Sequence, residues 1–171
     1  MATRTGAHDF DCDPETFWAR AFFSEEFNRK LFLERLKFEQ WEVLEQVETA
    51  DGFRRRVKAT PRVGDLPGPI KTLLKNGTGY VEEGEYFRSQ SRYVINVIPS
   101  SLADRLKITG DMRVMPLPDG RCRRSYTTVV EAKIMVVGGM LETRLLDDID
   151  KSYARSTLLT QEMLKEAKPA T

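Results

Sequence analysis

The sequence predicts an α+β protein in which a curved antiparallel sheet of six to seven strands wraps around a long C-terminal helix. Three observations lead there. The elements run strand, helix pair, about six strands, long helix, and strands segregated from helices mark the α+β class. The second half alternates apolar and polar residues with period two, as strands with one wet face do. The last apolar stripe recurs every four residues over about 25 residues, roughly 37 Å, and only a long apolar surface can cover it.

Residues 7–12 alternate, with His8, Phe10 and Cys12 on one face and Ala7, Asp9 and Asp11 on the other. Asp13 suits a helix N-cap, Pro14 the first helical position and Glu15 the first turn. Phe17, Trp18, Phe22, Phe27, Leu31 and Leu36 follow near a period of 3.6, and the run divides at Ser24 into two short helices. Trp41, Val43 and Val47 then alternate with Glu42, Gln46 and Glu48. Asp51-Gly52 signals a hairpin turn into Phe53, Val57 and Ala59, which alternate with Arg54, Arg56 and Lys58.

Residues 65–76 read as a loop and a short helix ending at Asn76-Gly77, and residues 78–90 and 92–98 as strands. Leu106, Ile108, Met112 and Val114 share the face opposite Lys107, Thr109, Asp111 and Arg113. After the Pro118-Asp119-Gly120 turn, Cys122, Tyr126, Val130, Ala132 and Ile134 alternate with Arg123, Ser125, Thr127, Glu131 and Lys133. Gly138-Gly139 ends that strand, and the final helix carries Leu141, Leu145, Ile149, Ser156, Leu159 and Met163 along one stripe. No repeat or linker divides the chain, so residues 1–171 are expected to form one domain with its core over about 6–168.

Composition narrows the function. With 27 basic and 26 acidic residues the formal net charge is +1, so no global field draws the chain to nucleic acid, which is not an expected partner. Two cysteines and one histidine are too few for a disulfide scaffold or a zinc-finger ligand set, and no metal or cofactor is expected. No apolar run approaches the ~20 residues of a membrane span, and the N-terminus has no apolar signal core. A cytoplasmic location with reduced thiols is the expectation.

The element order resembles the helix-grip fold of the START-like superfamily, which includes Bet v 1-type allergens, polyketide cyclases and coenzyme-Q-binding proteins. The likeness spans nearly the whole chain. It is most specific at Val-Glu-Ala-Lys-Ile-Met-Val-Val-Gly-Gly-Met-Leu-Glu, residues 130–142, at His-Asp-Phe-Asp-Cys-Asp-Pro-Glu-Thr-Phe-Trp, residues 8–18, and at Asp65-Leu66-Pro67. These motifs are similar to those of an uncharacterised bacterial branch of that superfamily and carry no catalytic signature. The resemblance implies binding, or transport, of a hydrophobic small molecule or lipid between sheet and helix. The alternative it implies is a polyketide cyclase or hydrolase using the same cavity, with His8, Tyr126 or Arg55 as acid, base or anchor. A filled interior would instead mark a structural or interaction domain, with no hollow above about 300 Å³.

The residues expected to line the cavity are Phe10, Arg55, Tyr80, Tyr93, Leu106, Ile108, Met112, Val114, Tyr126 and Val130 from the sheet. Leu141, Leu145 and Ile149 join them from the helix. Apolar walls with a few polar tips are the usual make-up of such sites. The helix pair and residues 67–76 are the expected entrance. Arg55 falls on the inward face, where it could meet an anionic head group, though snorkelling to solvent is the plainer expectation. Cys12 and Cys122 are expected within about 10 Å of each other as two reduced thiols, since a disulfide needs Cα atoms under ~7 Å apart and an oxidising compartment. Glu142 is expected to face the positive end of the helix dipole. Glu82, Glu83 and Glu85 are expected on a solvated strand. Arg54–Arg56 and Arg121, Arg123 and Arg124 read as solvated hairpin ends that could touch an anionic membrane transiently.

Overall fold

The computed structural model describes residues 1–62, 64 and 66–167. Asp65, part of one of the motifs above, lies outside the described residues. Strand β1 (Ala2–Phe10) pairs antiparallel with β7 (Arg121–Ala132), from Ala2 opposite Val130 to Phe10 opposite Cys122. It begins earlier than its alternation suggested because β7 offers a pairing edge along that length. Asp13 then caps α1 (Pro14–Thr16), its carboxylate accepting the Thr16 N–H at 2.7 Å.

This helix widens into a π-helical stretch, Phe17–Phe22, closed by the Phe23 N–H donating to the Trp18 carbonyl at 2.8 Å. The five-residue spacing sets the Trp18 and Phe23 rings 5.2 Å apart and nearly parallel. The break falls at Ser24, whose hydroxyl accepts the Phe27 N–H at 3.2 Å and so caps α2 (Glu25–Arg29). A second π-helical stretch, Lys30–Arg35, follows.

The remaining strands are β2 (Gln40–Thr49), β3 (Gly52–Thr60), β4 (Tyr80–Phe87), β5 (Arg92–Pro99) and β6 (Leu106–Leu117). With β1 and β7 they form one seven-stranded antiparallel sheet in the order β1-β7-β6-β5-β4-β3-β2. The short helix α3 (Gly68–Leu73) lies between β3 and β4, and α4 (Gly138–Ala167) closes the chain. Among the described residues no helix is long and apolar enough to cross a membrane. This is the helix-grip architecture, α+β, with the sheet curved around the C-terminal helix.

Two local expectations need correction. Val43 and Val47 of β2 are exposed, at 38% and 53%, although alternation assigned them a dry face. The strand is a sheet edge, its register shifts between Val43 and Glu45, and only Trp41 is covered, by Phe32, Leu33 and Phe38. Helix α4 is 30 residues long rather than about 25, and Leu146 is buried at 3% exposure while Leu145 and Ile149 are only partly buried. Steps of four residues advance about 400° on a helix, so a strict four-residue stripe drifts off the buried face.

The junction before α4 explains its early start. A Cβ on Gly138 would lie 2.6 Å from the Ala132 carbonyl oxygen, so only glycine fits where the helix leaves the sheet. Glu142 lies beyond the first turn and takes a different role from the one expected. Its carboxylate accepts the Ala132 N–H at 2.8 Å, tying helix to strand, and that bond holds its pKa below the ordinary value.

Candidate functional site

The residues expected to line one cavity fall into three groups. Phe10, Tyr93, Met112, Val114 and Tyr126 pack with Phe17, Trp18 and Leu159 beneath the helix pair. Leu106, Ile108, Val130 and Leu141 pack with Ile70 and Leu146, and Leu145 and Ile149 lean against them. Tyr80 packs against Trp41, Val57 and Ala59, and burial pushes its hydroxyl pKa well up.

Several of these positions are closely packed, where an open hollow was expected. Tyr93, Met112, Val114 and Val130 are each 0% exposed, and the Tyr126 ring stacks on Tyr153 of α4 at 3.6 Å. A hollow of about 470 Å³ lies instead between α3 and the start of α4, walled by Pro67, Ile70, Met140, Thr143, Arg144 and Asp147. It coincides with part of the expected entrance. Ile70, which lines it, also belongs to the apolar group of Leu106, Ile108, Val130 and Leu141. A second hollow, of about 360 Å³, lies beside Asn96 and Ile98 of β5 and Leu106 and Lys107 of β6.

Arg55 does not snorkel. It is 5% exposed, and its guanidinium carbon lies 5.4, 5.0 and 5.4 Å from the ring centres of Phe22, Phe23 and Tyr93. Its Nε donates to the Tyr93 hydroxyl at 3.0 Å, which donates to Glu82 Oε1 at 3.1 Å. Burial, and next the Glu82 charge, push the Tyr93 pKa far up, so the phenol keeps its proton. Arg55 and Glu82 are thus joined through a neutral tyrosine. Gly84 permits this: a Cβ there would stand 1.7 Å from the Tyr93 hydroxyl oxygen.

A second buried arginine is Arg124, 2% exposed, and it is no solvated hairpin end. Nη1 donates to Ser156 Oγ at 2.9 Å. Nη2 donates to Thr157 Oγ1 at 2.8 Å and to the Tyr153 carbonyl at 3.4 Å, and lies 3.0 Å from His8 Nδ1. Its Nε is buried with no partner. Burial pushes its pKa down to about 10, which leaves it a cation at neutral pH. Burial and then Arg124 lower the His8 pKa, so the imidazole is neutral there and accepts from the guanidinium. His8 also stacks on Tyr126, at 6.0 Å. Its Nδ1 is engaged by Arg124 rather than by a nucleophile.

The other candidates are quieter. Cys12 and Cys122 are both free and buried, and their interaction draws Cys12 down and pushes Cys122 up in pKa. Arg54 and Arg56 pair with Glu85 and Glu83 at 3.3 and 3.6 Å, and Arg121 and Arg123 with Asp11 and Asp9 at 3.0 and 2.6 Å. Those carboxylates offset the positive charge that would draw the hairpin ends to an anionic surface.

Two polar residues of the interior escaped sequence reasoning, and both had a signal. Arg124 shares parity with Cys122 and Tyr126, so strict alternation already pointed it inward. Glu82 shares parity with Tyr86 across from the inward face of β3. Their charge outweighed their register in the reading.

No curated protein matches the sequence. Among solved structures, a protein from Thermus thermophilus is 18% identical, with a TM-score of 0.66, covering 98% of this chain and 100% of that one. The Zhui aromatase/cyclase from Streptomyces sp. R1128 is 10% identical, with a TM-score of 0.64, covering 99% and 98%. Norcoclaurine synthase from Thalictrum flavum, solved with dopamine and hydroxybenzaldehyde, is 14% identical, with a TM-score of 0.61, covering 99% and 90%. At such identities the likeness is one of fold alone, the helix-grip fold. A sequence match over residues 5–164 is more specific, and by it the chain belongs to the family described as "Protein of unknown function (DUF2505)".

Proposed function

We propose that the protein binds a hydrophobic small molecule or lipid between the curved sheet and α4, taken up through the hollow beside α3. The carrying observation is that hollow, about 470 Å³ with Pro67, Ile70 and Met140 in its walls. Its size lies within the ~300–1,000 Å³ of ordinary ligand pockets. Ile70 is its link to the interior, since it packs there at 1% exposure. A ligand that displaces Ile70 meets Leu106, Ile108, Val130 and Leu141 next. Buried apolar area would supply the affinity, at roughly 25 cal/mol per Å² before ordering costs. Arg55 and Tyr93 offer polar contacts among the aromatic rings. Similar folds in an aromatase/cyclase and in norcoclaurine synthase support the reading without naming a ligand.

The test is titration with a neutral apolar fluorophore, N-phenyl-1-naphthylamine, read as a blue-shifted rise in emission. Met140 is half exposed, so Met140→Trp fills the hollow without entering the core. Wild type is expected to bind, and M140W to bind at least about tenfold more weakly, near 1.4 kcal/mol. A folded wild-type protein that binds no such probe, or an M140W variant that binds as well as wild type, overturns the proposal.

A further inference from the structure

We infer that Arg124 is an anion anchor for that ligand, which is therefore a long-chain carboxylate whose head group pairs with the guanidinium. The inference rests on the proposed interior site and specifies what it holds.

Arg124 is charged, buried and uncompensated. Arg4 and Arg35 pair with Asp147 and Glu162, Arg92 with Asp111, and Arg123 with Asp9. Even Arg55 reaches Glu82 through Tyr93. Among the described residues both buried arginines touch only neutral groups, but Arg55 has a carboxylate one hydrogen bond further on, whereas the groups on Arg124 are two hydroxyls, one carbonyl and an imidazole. A buried ion without a counter-charge is costly, and an apolar residue of similar volume is usually at least as stable. A cation kept at that cost is suited to a counter-ion that arrives from outside.

The geometry suits a carboxylate. The rings of Phe10, Phe17 and Tyr153 lie 5.3, 5.8 and 4.9 Å from the guanidinium carbon. Hydrogen bonds must therefore form in the guanidinium plane, where Nε has no partner. A carboxylate meets Nε and Nη2 side-on with two parallel bonds. The group it would replace on Nη2 is His8, a half-buried side chain on the edge strand β1.

The distance along α4 sets the length of the ligand. The hollow touches the helix at Thr143 and Asp147, and Arg124 touches it at Ser156 and Thr157. Those positions are separated by about 14–21 Å of helix rise. A chain with its head on Arg124 and its tail toward the hollow takes the place of side chains that pack along α4 at Leu146 and Ile149 in the ligand-free protein.

The test compares tetradecanoate with tetradecan-1-ol, equal in chain and different in head, by displacement of N-phenyl-1-naphthylamine at pH 8 below the self-association limit of each. Wild type is expected to prefer the carboxylate at least tenfold, and Arg124→Met to reduce that preference to within twofold. The melting temperature of ligand-free R124M is expected at or above wild type, whereas an arginine kept for structure alone would leave a large drop. If neither compound binds wild type, the proposed function fails. If both bind alike, or R124M keeps the preference, the anchor fails and the hydrophobic site stands. If R124M does not fold, Arg124→Gln in the same assay decides the matter, because Arg144 beside the hollow could also draw a carboxylate to wild type.

Discussion

Glu142 shows how one side chain can join two elements. Its buried carboxylate accepts the Ala132 N–H, and the charged acceptor makes that a strong bond. The pKa of Glu142 is lowered in the folded protein by that bond, so its stabilisation is complete above the ordinary value of 4.5. It is lost as pH falls through the lowered folded value. Glu142→Ala leaves the Ala132 N–H without its partner and is expected to cost about 1–3 kcal/mol in urea melts at pH 7. The gap to wild type should narrow below about pH 4.5 as the wild-type carboxyl protonates. A gap that stays constant down to pH 3 would mean that the charge does not matter. The same scale shows what was legible. Asp13 and Ser24 were readable as cap and break because capping chemistry is local. The register of Arg124 pointed inward, but the groups that hold its charge there, on Tyr153, Ser156 and Thr157, come from about 30 residues away in sequence, so the charge decided the reading.

At the scale of elements, the two glycines before α4 make opposite predictions. Gly138 faces the Ala132 carbonyl at a distance no Cβ tolerates, while Gly139 has nothing within 4 Å of the place a Cβ would occupy. Gly138→Ala is therefore expected to destabilise the protein by about 1–3 kcal/mol. Gly139→Ala is expected to be neutral or to stabilise by up to about 1 kcal/mol through helix propensity. Thermal melts of the two variants check this, and equal effects would show that the strand–helix approach is not tight. The Gly-Gly pair was readable as a junction, but not the asymmetry within it. The apolar positions of β2 misled for a related reason: alternation tells which residues share a face, and neighbouring elements decide whether anything covers it.

For the molecule as a whole, the architecture was legible because the order of elements and their periods leave few ways to bury the final stripe. The close packing at Tyr93, Met112, Val114 and Val130 was not, because side-chain volume is settled by three-dimensional fit. Helix α4 is fastened to β1 by Arg4 with Asp147 and Asp150, to β7 by Glu142 and to the helix pair by Arg35 with Glu162. Helix α3 has six residues and no side-chain cap. The fastenings decide which part of the protein breathes. Amide deuterium uptake is expected to be rapid across α3 and slow through the middle of α4, and an added ligand should slow α3 most. Rapid uptake in α4 would mean that the long rod, rather than the short hinge beside it, is the door.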